Sequence, residues 1–474
     1  MKKSLLAIVL LLAICFSSVA LVGCKRGVIA DVDLTGGYDG SEVTITFYHT
    51  MSATNLQPVL EDAIARFNVL YPNITIDHKQ VGDYDAVRNQ IRTELTVGGQ
   101  PNIAYCYPDH VALYNGAKAV VALDELIASD IEITRADGSK EIMGLTQEQI
   151  DNFIEGFYNE GRAFGDGLMY TMPFSKSTEV LYYNKTFFEA NGLEVPTTWD
   201  EMEALCAQIK ALQPNSTPLG YDSEANWFIT MCEQYGSPYT SATKVDGTNF
   251  LFDNETNRAF VDKFASWYAK GWVTTKELSG GYPSDAFKKA EGELGKSYMS
   301  IGSSAGATHQ APKMVNGEYP FEVGIVPIPQ VDANNPKVIS QGPSVCIFQQ
   351  ENEQEVYASW LFVKFLTTDV EFQASFSEAS GYVPVIKNVN QDELYQEFIN
   401  EASGFSDGIA AYSAKVCLEQ EKAYYVSPAF NGSSKARDEV GLLMQSCFSN
   451  YEKAADKAAM IKEKFEGAIE ECEY

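Results

Sequence analysis

Apolar positions recur along the chain with two periods, two for strands and three to four for helices. Residues 42–48 alternate, with Val43, Ile45 and Phe47 on one face, which predicts a strand. Leu56, Val59, Leu60, Ala63, Ile64 and Phe67 follow helical spacing until Tyr71-Pro72-Asn73 breaks it. A strand is predicted from Ile74, a helix over 84–97 closed by Gly98-Gly99, a short strand over 103–105 and a helix over 111–117. This β-α-β-α-β order implies a mostly parallel sheet flanked by helices. An insert follows over 130–144, turning at Asp137-Gly138, and 148–158 is helical.

The stretch Met172-Pro173-Phe174-Ser175-Lys176-Ser177-Thr178-Glu179-Val180-Leu181-Tyr182-Tyr183-Asn184-Lys185 reads as strand, turn and strand. A helix over 186–191 follows and stops at Gly192. Thr197-Thr198-Trp199-Asp200-Glu201 starts another helix with a capping threonine and an acidic first turn. Further helices are predicted over 227–235, 256–270, 353–366, 371–377 and most of the last forty residues. Strands are predicted over 298–301, 323–326 and 345–348. The pattern contains no repeat and no long linker, so two α/β units are expected to interleave.

A length of 474 residues fits two or three domains. The net charge of −29, from 64 acidic and 35 basic residues, disfavours nucleic acid and charge-driven binding to anionic lipid. The first residues read as a targeting signal: Lys2 and Lys3 precede an apolar run over 5–16. The ending Leu21-Val22-Gly23-Cys24 resembles a bacterial lipobox. That resemblance implies cleavage before Cys24, acylation of Cys24 and anchoring on the outer face of the cell membrane. Residues 24–40, rich in Gly and Asp, read as a lipidated tether. Seven other cysteines remain at wide spacing, which implies no disulfide framework and no zinc site; they are expected to be small buried hydrophobes.

Gly302-Ser303-Ser304-Ala305-Gly306 follows a predicted strand and matches G-x-S-x-G. Its later acid and histidine are missing, because only His309 of the four histidines follows it, five residues on. A standard hydrolase order is therefore excluded; the readings left are a plain Gly/Ser turn and a loop of small residues, with Ser303 and Ser304 in it, whose amides and hydroxyls contact a polar ligand. No nucleotide-binding loop and no metalloprotease motif occurs. Tyr48-His49, Tyr84, Trp227 and Tyr382 stand in turn-like settings. At strand ends they suit a sugar, which presents flat C–H faces to rings and hydroxyls to fixed polar partners. Ser175 and Ser177 add hydroxyls in the first turn.

Taken together, these motifs resemble the extracellular solute-binding proteins of bacterial ABC importers, in the branch of maltose-binding and glycerol-3-phosphate-binding proteins. The resemblance runs through VTITFYHTM (43–51), FNVLYPNITIDHKQVGDY (67–84), PFSKSTEVLYYN (173–184), PTTWDEM (196–202), 300–306, WLFVKFL (360–366) and GYVP (381–384). It implies an α/β, two-lobed, type II periplasmic-binding-protein-like fold, each lobe a mostly parallel sheet flanked by helices. Lobe 1 is expected over 41–172 and 304–367, and lobe 2 over 173–303 and 368–474. Met172-Pro173 becomes the first hinge, with 175–178 facing the cleft. The chain looks most like the glycerol-3-phosphate type, whose Phe-Trp-His-Ser-Met resembles Phe47 to Met51 here. Carried over, the ligand positions are His49, Ser177, Trp227, Ser304, Gly342, Tyr382 and Arg437, with Arg437 suited to a phosphate group. The second glycine of the family's Gly-Gly pair is Pro343, and its tryptophan pair is Tyr221 and Trp227. These departures leave an uncharged mono- or oligosaccharide open. The resemblance implies a monomer without catalysis or cofactor, delivering a carbohydrate or polyol phosphate to ABC permease subunits. The alternatives are a secreted glycan-acting lipoprotein enzyme and a peptide-binding protein of similar architecture.

Overall fold

The computed structural model describes residues 34–473. The expected signal segment, Cys24 and the tether up to residue 33 lie outside the described residues. Strand β1 (Val43–His49) alternates buried and less buried positions, as its sequence does. It is followed by α1 (Gln57–Leu70), β2 (Ile74–Gln80), α2 (Tyr84–Glu94), β3 (Ile103–Cys106) and α3 (Pro108–Asn115). After a longer excursion come β4 (Met172–Pro173) and β5 (Glu179–Asn184), then α4 (Trp199–Leu212), β6 (Leu219–Tyr221) and α5 (Glu224–Tyr235). Next are α6 (Glu255–Ala269), β7 (Val273–Thr275), β8 (Met299–Ser303), β9 (Val323–Pro327) and β10 (Ser344–Ile347). The chain ends in helices, among them α7 (Glu353–Thr368), α8 (Val370–Ser380), α9 (Ile409–Glu419), α10 (Ser433–Asn450) and α11 (Lys457–Glu473). The expected capping box forms at the start of α4, where Thr198 and Glu201 exchange hydrogen bonds.

Two five-stranded sheets result, β2-β1-β3-β10-β4 and β7-β6-β8-β5-β9. Both are mixed, not mostly parallel: two of four pairings in the first are antiparallel, as are two of four in the second. The antiparallel members are β10 and β5, the strands by which the chain enters one lobe after leaving the other. Without an intervening crossover helix, such a strand has no reason to run parallel.

The chain changes lobes at positions other than those expected. Strand β9 hydrogen-bonds to β5, and Ala307, Phe321, Val323 and Ile325 pack against Val180 and Tyr182, so 304–339 belongs to lobe 2. Phe372, Phe376, Val383 and Tyr395 pack with Phe47, Phe174 and Trp360, so 344–395 belongs to lobe 1. Ala436, Phe448 and Phe465 return the C-terminal helices to the lobe 2 core. Phe174 anchors this exchange, with the rings of Phe372 and Phe376 edge-on at 5.5 and 5.2 Å. The seven cysteines from Cys106 to Cys472 are all buried and free. Among the described residues no helix is long and apolar enough to cross a membrane.

Candidate functional site

Residues 174–178 leave lobe 1 and meet the other crossings. Ser177 and Gln341 exchange backbone hydrogen bonds of 3.0 and 2.8 Å, and Lys176 and Val383 exchange bonds of 3.1 and 2.7 Å. Gly342 sits where these segments touch. Its φ is +90°, and a Cβ there would lie 2.5 Å from the Ser175 carbonyl oxygen and 2.9 Å from Lys176 Cα. Only glycine meets both demands.

Above this junction lies a cavity of about 300 Å³, walled by both lobes. Lobe 1 contributes Tyr107, Asp109, Glu160 and Tyr382; lobe 2 contributes Asn226, Tyr239, Ser303, Ser427 and Arg437; the crossings add Ser177, Ser340 and Gly342. Tyr107 and Asp109 stand where β3 gives way to α3, which opens with Pro108. Asn226 lies in the first turn of α5, capped by Ser223. Ser433 and Arg437 are four residues apart on α10, so both face the cavity.

The polar groups are arranged unevenly. Lys176 Nζ donates to Glu160 Oε1 at 2.6 Å and to Ser344 Oγ at 2.9 Å, while Ser340 Oγ donates to Glu160 Oε2 at 2.9 Å. Arg437 makes no ion pair among the described residues, and its guanidinium donates to Asn226 Oδ1. Behind Asn226, the Glu179 carboxylate accepts from Tyr221 O–H at 2.6 Å. Burial pushes Glu179 up to about 7, against the lowering effect of Tyr221, Asn226 and Arg437. Tyr239 O–H and Ser427 Oγ face the cavity region buried and without a hydrogen-bond partner. Such orphaned groups carry a desolvation cost that a ligand hydroxyl or phosphoryl oxygen would offset.

Of the predicted positions, Ser177, Ser303, Gly342, Tyr382 and Arg437 line the cavity. Ser303 Oγ donates to Ser177 Oγ at 3.2 Å. The others do not line it. Tyr84 stands one layer back, its O–H 3.3 Å from that of Tyr382 and its ring 4.7 Å from that of Tyr107. Ser304 is buried and clamps the crossing: its amide donates to Thr178 O at 2.7 Å, and its Oγ accepts from the Thr178 amide at 3.2 Å. Ser175 is buried, its Oγ without a partner. Trp227 is fully buried and stacks on Tyr221 at 4.7 Å within the lobe 2 core. Helical periodicity turns Trp227 away from the cavity that its neighbour Asn226 faces. His49 is also fully buried. Its Nδ1 accepts from the Met51 amide at 3.1 Å, so the proton sits on Nε2, which donates to His78 Nδ1 at 3.0 Å. Burial and His78 lower His49 to about 4, which keeps it neutral. Tyr48 points to the other side of β1, donating to Glu94 Oε1 at 3.3 Å under the Lys79 ammonium.

Sequence reasoning missed Tyr107, Asp109, Glu160, Asn226 and Tyr239. The first two were accessible, because they end a predicted strand and precede a helix. Among the described residues no group of three or more His, Cys, Asp and Glu side chains is placed to hold a metal ion.

Comparison with known proteins gives this cavity a context. A family model described as bacterial extracellular solute-binding protein matches residues 62–400. The sn-glycerol-3-phosphate-binding periplasmic protein UgpB of Yersinia pestis is 24% identical over 392 residues, 80% of this chain and 83% of that protein. The solved structure of UgpB from Mycobacterium tuberculosis in complex with glycerophosphocholine superimposes with a TM-score of 0.69 at 16% identity, covering 91% of this chain and 99% of that one. The sugar-binding protein MalE of Xanthomonas citri gives 0.69 at 17% identity, covering 91% and 98%.

Proposed function

We propose that this chain, which belongs to the bacterial extracellular solute-binding protein family, captures a small polyol phosphate between its two lobes and delivers it to the permease of an ABC importer. It is a binding protein, not an enzyme. The observation that carries the ligand class is Arg437. Its guanidinium faces the cavity, makes no ion pair among the described residues, and is steered by Asn226 from the side. A planar fork with free donors in a partly desolvated cavity suits phosphoryl oxygens. Ser177, Ser303, Ser427 and Tyr239 then offer partners for polyol hydroxyls, and Tyr107 and Tyr382 offer ring faces.

The cavity volume of about 300 Å³ argues for a small solute. Ligand pockets run from roughly 300 to 1,000 Å³, so this one sits at the small end, tight for a long oligosaccharide. The names of the relatives support the same reading: one binds sn-glycerol 3-phosphate, and another was solved with glycerophosphocholine. We place the mature protein on the outer face of the cell membrane, held by acylated Cys24, because of the Leu-Val-Gly-Cys signal. The partners in this reading are the permease subunits. Ser177, Ser303, Gly342, Tyr382 and Arg437 are the binding residues, joined by Asn226, Tyr107 and Tyr239.

A thermal-shift panel tests it. Ligand at 100 times its dissociation constant adds about 2.7 kcal/mol. We expect sn-glycerol 3-phosphate or glycerophosphocholine to raise the midpoint and maltose to leave it unchanged. A shift with maltose alone would replace the polyol phosphate with a neutral sugar.

A further inference from the structure

The cation that awaits an anion is backed by a buried carboxylate. Glu179 is 1% exposed and lies in β5, opposite Ser303 of β8 in the register. A carboxylate only accepts and a guanidinium only donates. Asn226 stands between them: its side chain lies beside Glu179, and its Oδ1 accepts from Arg437. This is the one orientation of the Asn226 amide that satisfies both neighbours. The other ionisable groups around Glu179 are Tyr221, Asp222 and Tyr425. Tyr221 and Tyr425 are neutral phenols, raised well above their ordinary value by burial. Asp222 is itself pushed up to about 6 by burial.

The charge around the cavity is therefore not that of a generous phosphate site. Glu160 is already matched by Lys176. Asp109 and Arg437 both line the cavity, and Glu179 stands behind Asn226. Of the charged groups that line the cavity, Glu160 is paired with Lys176 and Arg437 alone remains for an anion, with Asp109 also lining it and Glu179 behind Asn226, so a second negative charge on the ligand finds no unpaired lining cation.

We propose that Glu179 is a specificity-determining residue, acting through Asn226 on Arg437, that limits the bound anion to a single charge and so favours phosphodiesters over phosphomonoesters. This inference rests on the reading of Arg437 as the phosphate anchor. A phosphomonoester is close to dianionic above its second pKa of roughly 6, whereas a diester stays monoanionic. With Glu179 ionised, the monoester bears the repulsion and the diester largely escapes it.

The test is calorimetric titration at pH 8 with two probes, sn-glycerol 3-phosphate and glycerophosphocholine, on the full mature chain. The readout is the ratio of their dissociation constants, which a purely structural role of Glu179 would leave unmoved. Glu179→Gln keeps size and one acceptor oxygen for the Tyr221 O–H and removes the charge. We expect it to shift the ratio toward the monoester by about tenfold, because the dianion is relieved of more repulsion than the monoanion when a like charge is removed. Asn226→Asp adds a charge beside Arg437 and is expected to shift the ratio toward the diester. This second variant decides the matter if Glu179→Gln fails to fold, judged by circular dichroism. Ratios unchanged in the folded variants, or a native preference for the monoester, overturn the inference and leave the binding function standing. Failure of the native protein to bind either probe overturns the reading of Arg437 as well.

Discussion

Lys176 Nζ lies 2.6 Å from Glu160 Oε1, and the two side chains are 0% and 3% exposed. Glu160 belongs to the lobe 1 wall and Lys176 to the crossing that leaves it. The pair ties the floor of the cavity to the hinge strands, with Ser340 and Ser344 completing its hydrogen bonds. Removing one partner of a buried pair leaves an uncompensated charge, which costs about 3–5 kcal/mol. Glu160→Ala and Lys176→Met are each expected to lose that much in urea unfolding. The double variant is expected to lose less than the sum, because both charges go together. Additive losses would mean that the ion pair is not a unit.

Trp227 belongs to the core. Trp227→Phe is expected to lower stability by about 1–3 kcal/mol through a partly filled void against Tyr221 and Phe264. The affinity for the solute is expected to stay within about twofold of the native value, because the ring does not line the cavity. A tenfold affinity loss at native stability would return Trp227 to the ligand.

Gly342→Ala places a methyl group 2.5 Å from the Ser175 carbonyl oxygen on a backbone with φ of +90°. Both the clash and the left-handed conformation oppose it. The expected cost exceeds about 2 kcal/mol, read as a lowered thermal midpoint together with weaker solute binding. A stable, fully binding variant would show that the crossings tolerate displacement.

Burial, and then the neighbouring His78, lower His49 from its ordinary value of 6.5 to about 4 in the folded chain. A depressed histidine is neutral in the native state and charged in the unfolded state at mildly acid pH. Stability is therefore present above pH 6.5 and is lost as pH falls toward 4, by up to about 3 kcal/mol. Glu179 and Asp222, raised to about 7 and 6, act in the opposite direction. The relevant quantity is therefore the difference between native and His49→Gln stability across that range. A difference independent of pH would contradict the buried, neutral assignment of His49.

Much of the architecture was legible because the apolar periods are clean. Val43, Ile45 and Phe47 announce β1, and Thr198 with Glu201 announces α4. Sheet direction and lobe boundaries were not legible. They depend on which core Phe174, Phe372 and Val323 enter, and local patterning carries no such address. The site divided the same way. Ser177, Ser303 and Tyr382 sit in turns that announced themselves, whereas Gly342 and Arg437 came from the family resemblance. Glu160 reads as one acid among many on a chain with 64 acidic residues, and its partner Lys176 lies 16 positions away. Trp227 and His49 misled because an aromatic ring beside a turn can face either the cleft or the core. One residue of helical rotation, between Asn226 and Trp227, decides which.

In the proposed reading Arg437 anchors an anionic solute between the lobes. Titration calorimetry of Arg437→Ala with the ligand selected by the thermal-shift panel separates an anchor from a bystander. Truncating one partner of a desolvated charge pair costs about 2–5 kcal/mol, so affinity is expected to fall by roughly 30-fold or more, with the thermal midpoint of the free protein little changed. Unchanged affinity in a folded Arg437→Ala protein would show that Arg437 does not hold the solute.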